Sequence, residues 1–317
     1  MNWFSKLNWT HYLSAVIILF ILVSFPFAVI NSNPKIDPNY EFDLVQIGMM
    51  PILKEAPMET VSQINDRVEA NNYIVLDVNS GAVLLEHNST ASAFPASTTK
   101  MMTALVSREI YDLDYFLQVI EENLVSDNRM GFQVGERVRA SDLLHATLIS
   151  SSNEAAEVLA SGHGGGREEF VNKMNQTARE LNLNNTLFIN PSGFDNENIY
   201  STARDLGILA RELLKDDYLS EIVKMTNYTF TDVEETISHT AYTTNQLLYE
   251  MDDVIGVKTG TTEGAGQVLV TAIERDGNRV LIVVMGSDDR YEDTKQIIDW
   301  VYNSYEWVDV DINNLID

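Results

Sequence analysis

Strand-like segments stand at both ends of the main body of this chain, and the stretch between them reads mostly as helix. At the near end, Tyr73-Ile-Val-Leu-Asp-Val78 and Ala82-Val-Leu-Leu85 flank Asn79-Ser80-Gly81, which is hairpin chemistry. At the far end, Gln267–Glu274 and Arg279–Met285 flank Asp276-Gly277, a second hairpin signal. Val254–Val257 precedes them as a further strand, and strand pattern replaces helix after about residue 226. Between them, apolar residues recur at helical spacing over Thr98–Tyr111, from Ser141 to Ala160 with a polar break at Ser150-Ser151-Ser152-Asn153, and over Glu168–Leu181. Thr202–Lys215 adds another helix, opened by a cap of Thr202 and Asp205, and Tyr291–Ser304 the last. Strands enclosing a helical middle predict one α+β unit.

The N-terminal end obeys different rules. No Asp, Glu, Lys or Arg occurs between Lys6 and Lys35, and Tyr12 to Ile30 is almost wholly apolar. That matches the roughly 20 residues needed to cross a bilayer core. Trp3, Phe4, Trp9 and Tyr12 sit where an interfacial aromatic belt would lie. A signal peptide's apolar region is usually about 7 to 15 residues, and no good small-x-small cleavage site follows here. The expected organisation is therefore a cytoplasmic N-terminus over 1–11, a transmembrane signal-anchor over 12–30 and an extracytoplasmic linker over 31–70. A catalytic domain over 71–305 and a loosely ordered acidic tail over 306–317 complete it. The implied location is the cell membrane, single-pass, with the large domain outside the cytoplasm.

Charge excludes several function classes. The chain holds 21 Lys+Arg against 47 Asp+Glu, a net charge of −26. Such a surface repels phosphate backbones, so nucleic acid is not an expected partner. With no cysteine there is no thiol nucleophile and no cysteine metal site. His11, His87, His145, His163 and His239 show no paired metal spacing, and Gly162 to Gly166 lacks the Lys-Ser/Thr of a phosphate loop. Neither metal nor cofactor is expected.

Three short motifs remain: Ser97-Thr98-Thr99-Lys100, Ser151-Ser152-Asn153 and Lys258-Thr259-Gly260. Singly, each has a plain structural reading as a helix cap, a polar kink between helices and a strand-end lysine. Chemistry gives them another. At a helix start, residues three apart share a face, so the Ser97 hydroxyl and the Lys100 amine can meet. A serine is a poor nucleophile until a neighbouring base takes its proton. Lys100 can be that base only if burial or another cation keeps it neutral, and Lys258 would supply such a cation. Backbone N–H groups at the helix start can stabilise a tetrahedral oxyanion.

Taken in this order, the motifs match the serine penicillin-recognising set. From about residue 72 to 305 the chain resembles the low-molecular-mass penicillin-binding proteins, the serine D-alanyl-D-alanine carboxypeptidases. The resemblance rests on the segments Phe94–Thr103, Leu148–Ala155, Asn190–Asp195, Tyr200–Asp205 and Gly256–Thr262 with Ala265-Gly266. It implies a penicillin-binding protein/serine β-lactamase-like fold: an antiparallel sheet with helices on both faces and a helical subdomain, here behind an N-terminal transmembrane helix. It further implies Ser97 as acylated nucleophile, Lys100 as its proton acceptor and Ser151 as a relay towards Lys258 and the leaving group. Asn153 would hold the substrate's peptide carbonyl, and the N–H groups of Ser97 and Thr261 would form the oxyanion hole. Lys258, Thr259 and Arg290 would receive a terminal carboxylate, with Gly260 and Thr261 also binding substrate. The implied partners are a peptidoglycan stem peptide ending in D-Ala-D-Ala, β-lactams as covalent inhibitors, and the lipid bilayer.

Two departures accompany the resemblance. Members often carry a β-rich second domain and a C-terminal amphipathic anchor, whose place the N-terminal apolar segment is expected to take. Ser152 stands where glycine is frequent. The same acyl-serine chemistry also serves D,D-endopeptidases and β-lactamases. Class A β-lactamases deacylate with a Glu-activated water, and no equivalent segment is evident between Asn153 and Lys258. A silent wall-binding scaffold would need none of Ser97, Lys100 and Lys258.

Overall fold

The computed structural model of the chain describes residues 48–54, 60–125 and 127–310, so the expected membrane segment over 12–30 lies outside the described residues. Among the described residues, no helix is long and apolar enough to cross a membrane.

The two predicted hairpins meet in one antiparallel five-stranded sheet. Its strands are β2 (Asn72–Asp77), β3 (Val83–His87), β8 (Val254–Thr262), β9 (Gly266–Arg275) and β10 (Asn278–Ser287), in the order β3-β2-β10-β9-β8. The sequence ends join through β2 and β10, with Val280 opposite Asp77 and Met285 opposite Asn72. The first hairpin turns where Asp77 Oδ1 accepts the Ser80 backbone N–H at 2.7 Å.

Strand alternation divides the core between two layers. Ile74, Leu76, Val268, Val270, Leu281 and Val283 face one cluster, packed against helices Lys100–Ile110, Ala140–Ile149, Asn153–Ser161, Gly166–Glu180 and Ala203–Leu213. Tyr73, Val75, Leu269, Val280, Ile282 and Val284 face the other, against Ile297, Ile298, Trp300 and Val301 of the helix Arg290–Ser304. Both faces are thus covered, as expected of a sheet whose strands are apolar on both sides. The predicted helices all form, within a few residues of the expected ends. Thr202 caps its helix by accepting the Asp205 N–H at 3.0 Å. Short pairs β4 (Phe116–Gln118) with β5 (Arg137–Arg139) and β6 (Asn227–Thr231) with β7 (Ser238–Tyr242) flank the helices.

The linker and tail assignments require correction. Gly48–Leu53 forms β1 and pairs antiparallel with Tyr305–Val310, β11, so the structured body reaches beyond 71–305 at both ends. Pro51 reads as a strand breaker, but a two-stranded ribbon tolerates a missing N–H on its open side. The acidic composition of the last residues hid the alternation of Tyr305 and Trp307, which dock on the second core cluster. Tyr305 donates its hydroxyl to Leu84 O at 2.7 Å, and Trp307 Nε1 donates to Asp77 Oδ2 at 2.9 Å. Residues 311–317 of the expected tail lie outside the described residues.

This ribbon should contribute to stability. Trp307→Ala removes the indole bond to Asp77 and its packing, and should cost about 2 kcal/mol, seen as a fall in Tm of about 4 to 8 °C. Trp307→Phe should recover much of the loss. A Tm unchanged in both variants would make the ribbon an ornament.

Candidate active site

The site begins where the chain changes from an extended approach to a helix. Pro95 leads into a 3₁₀ turn, Ala96–Thr99, which runs directly into the helix Lys100–Ile110. The tight turn sets Ser97 and Lys100 one above the other, and the Lys100 amine donates to the Ser97 hydroxyl at 3.0 Å. Lys100 Nζ also donates to Asn153 Oδ1 at 2.7 Å and to the Ser192 carbonyl at 2.6 Å. An ammonium has three N–H donors, and here each has an acceptor from a different segment. Lys100 is 0% exposed. Burial pulls its pKa down to about 7, while the nearby Glu157 carboxylate pulls the other way. Near neutrality a large share of the amine is therefore unprotonated, with a lone pair beside the Ser97 proton.

The second motif is the break between helices Ala140–Ile149 and Asn153–Ser161. Ser151 occupies a positive φ of 59°, and Ser152 caps the next helix by accepting the Ala155 N–H at 3.1 Å. Serine at 152 in place of glycine thus adds a cap. The Ser151 hydroxyl is buried, the residue being 2% exposed, and has no hydrogen-bond partner among the described residues. An unpaired buried hydroxyl is costly, which marks this atom as one to explain by function. Asn153 donates one amide hydrogen to Asp127 O at 2.8 Å, leaving its second for another partner. Its own backbone N–H goes to Asn128 O at 3.1 Å. The loop carrying those carbonyls is gripped by buried Glu154, which accepts from Met130 N at 2.8 Å and Gly131 N at 2.9 Å.

The third motif lies on the edge strand β8, which runs past the 3₁₀ turn. A Cβ at Gly260 would stand 3.0 Å from both Ala96 Cβ and Ser97 N, so only glycine lets the strand approach the Ser97 amide this closely. Lys258 is 1% exposed and donates to Thr259 O at 3.0 Å. Burial, then the charges of Lys100 and Arg290, hold its pKa well below the ordinary lysine value. Thr259 and Thr244 share a hydroxyl–hydroxyl bond of 2.5 Å. Arg290, the first residue of the last helix, donates through Nη1 to Gly260 O and to Thr261 Oγ1, both at 2.8 Å. Ser97, Lys100 and Asn153 are thus directly bonded, while Lys258, Gly260, Thr261 and Arg290 line the adjoining strand.

Several contributors escape a reading by motif. Ser192 supplies an acceptor through its carbonyl, which no side-chain pattern reports. Gly193, at a φ of +86°, lets that loop pass: a Cβ there would lie 1.9 Å from Ala96 O. Asn190 Oδ1 takes the Gly193 N–H at 2.6 Å, and Asp195 ties the loop to Gly264 N at 2.8 Å. Thr244 has no sequence signal. Glu157 has one, since it follows Asn153 by four residues and so shares its helix face. Among the described residues, no group of acidic or histidine side chains could hold a metal ion.

Residues 58–289 match the peptidase family described as D-alanyl-D-alanine carboxypeptidase. The chain is 34% identical over 279 residues to the D-alanyl-D-alanine carboxypeptidase DacF of Bacillus subtilis, covering 82% of this chain and 70% of that protein. It is 31% identical over 260 residues to DacC of Escherichia coli, covering 76% of this chain but only 63% of that longer relative. Among solved structures, a Streptomyces DD-transpeptidase superposes with a TM-score of 0.70 at 30% identity, over 74% of this chain and 97% of that one. The segments carrying Ser97, Ser151, Asn153 and Lys258 all fall inside the matched region, and the chain belongs to the D-alanyl-D-alanine carboxypeptidase family of serine peptidases.

Proposed function

We propose that the protein is a membrane-anchored D-alanyl-D-alanine carboxypeptidase that removes the terminal D-Ala of peptidoglycan stem peptides through an acyl-serine intermediate. The observation carrying this reading is the buried Lys100 amine, pulled down to about 7 and 3.0 Å from the Ser97 hydroxyl. Ser97 Oγ attacks the carbonyl of the penultimate D-Ala as its proton passes to the Lys100 lone pair. The oxyanion is received by the N–H groups of Ser97 and Thr261, the strand passing close to Ser97 N at Gly260. Collapse breaks the peptide bond, and the leaving amine takes a proton relayed through Ser151, whose hydroxyl is otherwise unpaired. Water then attacks the acyl-serine, and the same groups return Ser97 to its free form. The second amide hydrogen of Asn153 serves the substrate's peptide carbonyl.

Terminal carboxylate recognition falls to Lys258, Thr259 and Arg290. In the free protein burial, then the charges of Lys100 and Arg290, push Lys258 towards its neutral form. An arriving carboxylate favours its charged form, so the site gains a cation as the substrate binds. This local positive cluster sits within a chain of net charge −26. The membrane placement rests on the uncharged run between Lys6 and Lys35, long enough to span a bilayer core.

Three outcomes test the reading. First, a β-lactam should form a covalent adduct on Ser97, absent in Ser97→Ala by mass spectrometry. Acylation should rise with pH through about 7, because the neutral amine is the base and raising pH removes its proton. Lys100→Ala should lower acylation by about 10²- to 10⁴-fold. Labelling that persists in Ser97→Ala would remove this residue from the mechanism. Second, a peptide ending in free D-Ala-D-Ala should be cleaved far better than its amidated counterpart, and Arg290→Ala should narrow the difference. Losing a charged contact of this kind costs about 2 to 5 kcal/mol. Equal cleavage of both peptides by the unaltered protein would favour an endopeptidase. Third, the full-length protein should stay in the membrane fraction through a carbonate wash with its N-terminus intact. A soluble species beginning near residue 29 to 33 would show a cleaved signal instead.

A further inference from the structure

One ion pair behind the site, a buried carboxylate with a half-exposed guanidinium, takes no direct part in the steps above. Glu157 lies one helical turn beyond Asn153, on the same face, and is buried. Its carboxylate is gripped by Arg167, with Nε donating at 2.6 Å and Nη2 at 3.1 Å. Ser192 Oγ approaches the same carboxylate at 3.5 Å, while the Ser192 carbonyl is the 2.6 Å acceptor of the Lys100 amine. Arg167, Glu157, Ser192 and Lys100 therefore form a continuous line from a half-exposed guanidinium to the buried amine. Arg167 enters from the first turn of the helix Gly166–Glu180, just past the glycines 164–166.

A buried ion pair is a weak stabiliser, because desolvation offsets most of its attraction. The field of the buried Glu157 carboxylate on a neighbour is another matter, since few mobile dipoles screen it there. We propose that Glu157 and Arg167 are positioning residues that together set the proton affinity of Lys100, the carboxylate holding the amine towards its charged form and the guanidinium attenuating that pull. The nearby cationic groups are Lys258 on β8, which interacts with Lys100, and Arg290, which interacts with Lys258. Glu154, on the same helix, is spent on Arg129 and the amides of Met130 and Gly131. Asp195 is bonded to Gly264 N. Glu157 is thus the carboxylate that opposes burial at Lys100, in agreement with the direction of its effect there.

The proposal rests on Lys100 as the base, and its test is built so that the two can fail separately. The measurement is the pH profile of acylation by a β-lactam, made on the full-length protein. Glu157→Gln, nearly isosteric, should move the acid limb to lower pH by about one unit, giving about fivefold faster acylation near pH 6 and approaching about tenfold at lower pH. Arg167→Gln should move it to higher pH, because the carboxylate then acts on Lys100 unattenuated. The double variant should follow Glu157→Gln, since Arg167 acts through the carboxylate. A mere brace between helices would slow both variants at every pH and leave the limb in place, and that result would overturn the proposal. Shifts of both single variants in the same direction would overturn it too. If Glu157→Gln fails to fold, the upward shift in Arg167→Gln, at a half-exposed side chain, decides alone. A limb lost in Lys100→Ala yet unmoved in these variants would refute the proposal only. A limb retained in Lys100→Ala would refute Lys100 as the base, and the proposal with it.

Discussion

Everything at this site depends on burying a lysine without letting it become an ordinary ammonium. Lys100 is fully enclosed, and its three acceptors come from the 3₁₀ turn, from the start of a second helix and from the Asn190–Asp195 loop. Desolvation moves the amine towards neutrality, and a neutral amine is what the proposed attack by Ser97 requires beside it. Enclosure has a structural cost that the fold must meet elsewhere. Loop Asn190–Asp195 can reach Lys100 only because Gly193 passes under Ala96, and the edge strand can close over the turn only because residue 260 has no side chain.

The sheet explains how such parts are brought together from distant sequence. β8 and β9 form a hairpin whose neighbour β10 pairs with β2, so the last third of the chain is held against the first strand of the domain. That pairing carries Lys258 and Gly260 to the turn holding Ser97, while the helices packed on the same face carry Ser151 and Asn153. Arg290 then follows β10 back to the strand edge and binds Gly260 O and Thr261 Oγ1. Three basic side chains gather where the rest of the chain is strongly acidic, and burial, then the charges of Lys100 and Arg290, hold Lys258 well below the ordinary lysine range.

Much of this was legible from side-chain pattern. Alternation and turn chemistry located the five strands of the main sheet, and helical spacing located the helices with their ends within a few residues. Ser97 and Lys100 were predicted to meet because three residues make nearly one helical turn, and they do. What stayed hidden follows from the kind of signal involved. The Ser192 and Asp127 carbonyls are backbone atoms and leave no mark on composition. Ribbon β1–β11 combines a proline with an acidic segment, both of which argue against strand, and it forms because Tyr305 and Trp307 find partners on the core. Glu157 was readable as a neighbour of Asn153 on one helix face, but its relation to Lys100 passes through Ser192, from another part of the chain.

The account stands or falls on the state of one amine. Full-length protein carrying ¹³C-labelled lysine side chains, with the Lys100 signal assigned by its loss in Lys100→Met, can be titrated by NMR. A midpoint near 7 is predicted, far below ordinary lysine, with the signal titrating apart from those of the exposed lysines. A Lys100 signal that stays charged until pH 10 would contradict the account, because Ser97 would then have no base within reach.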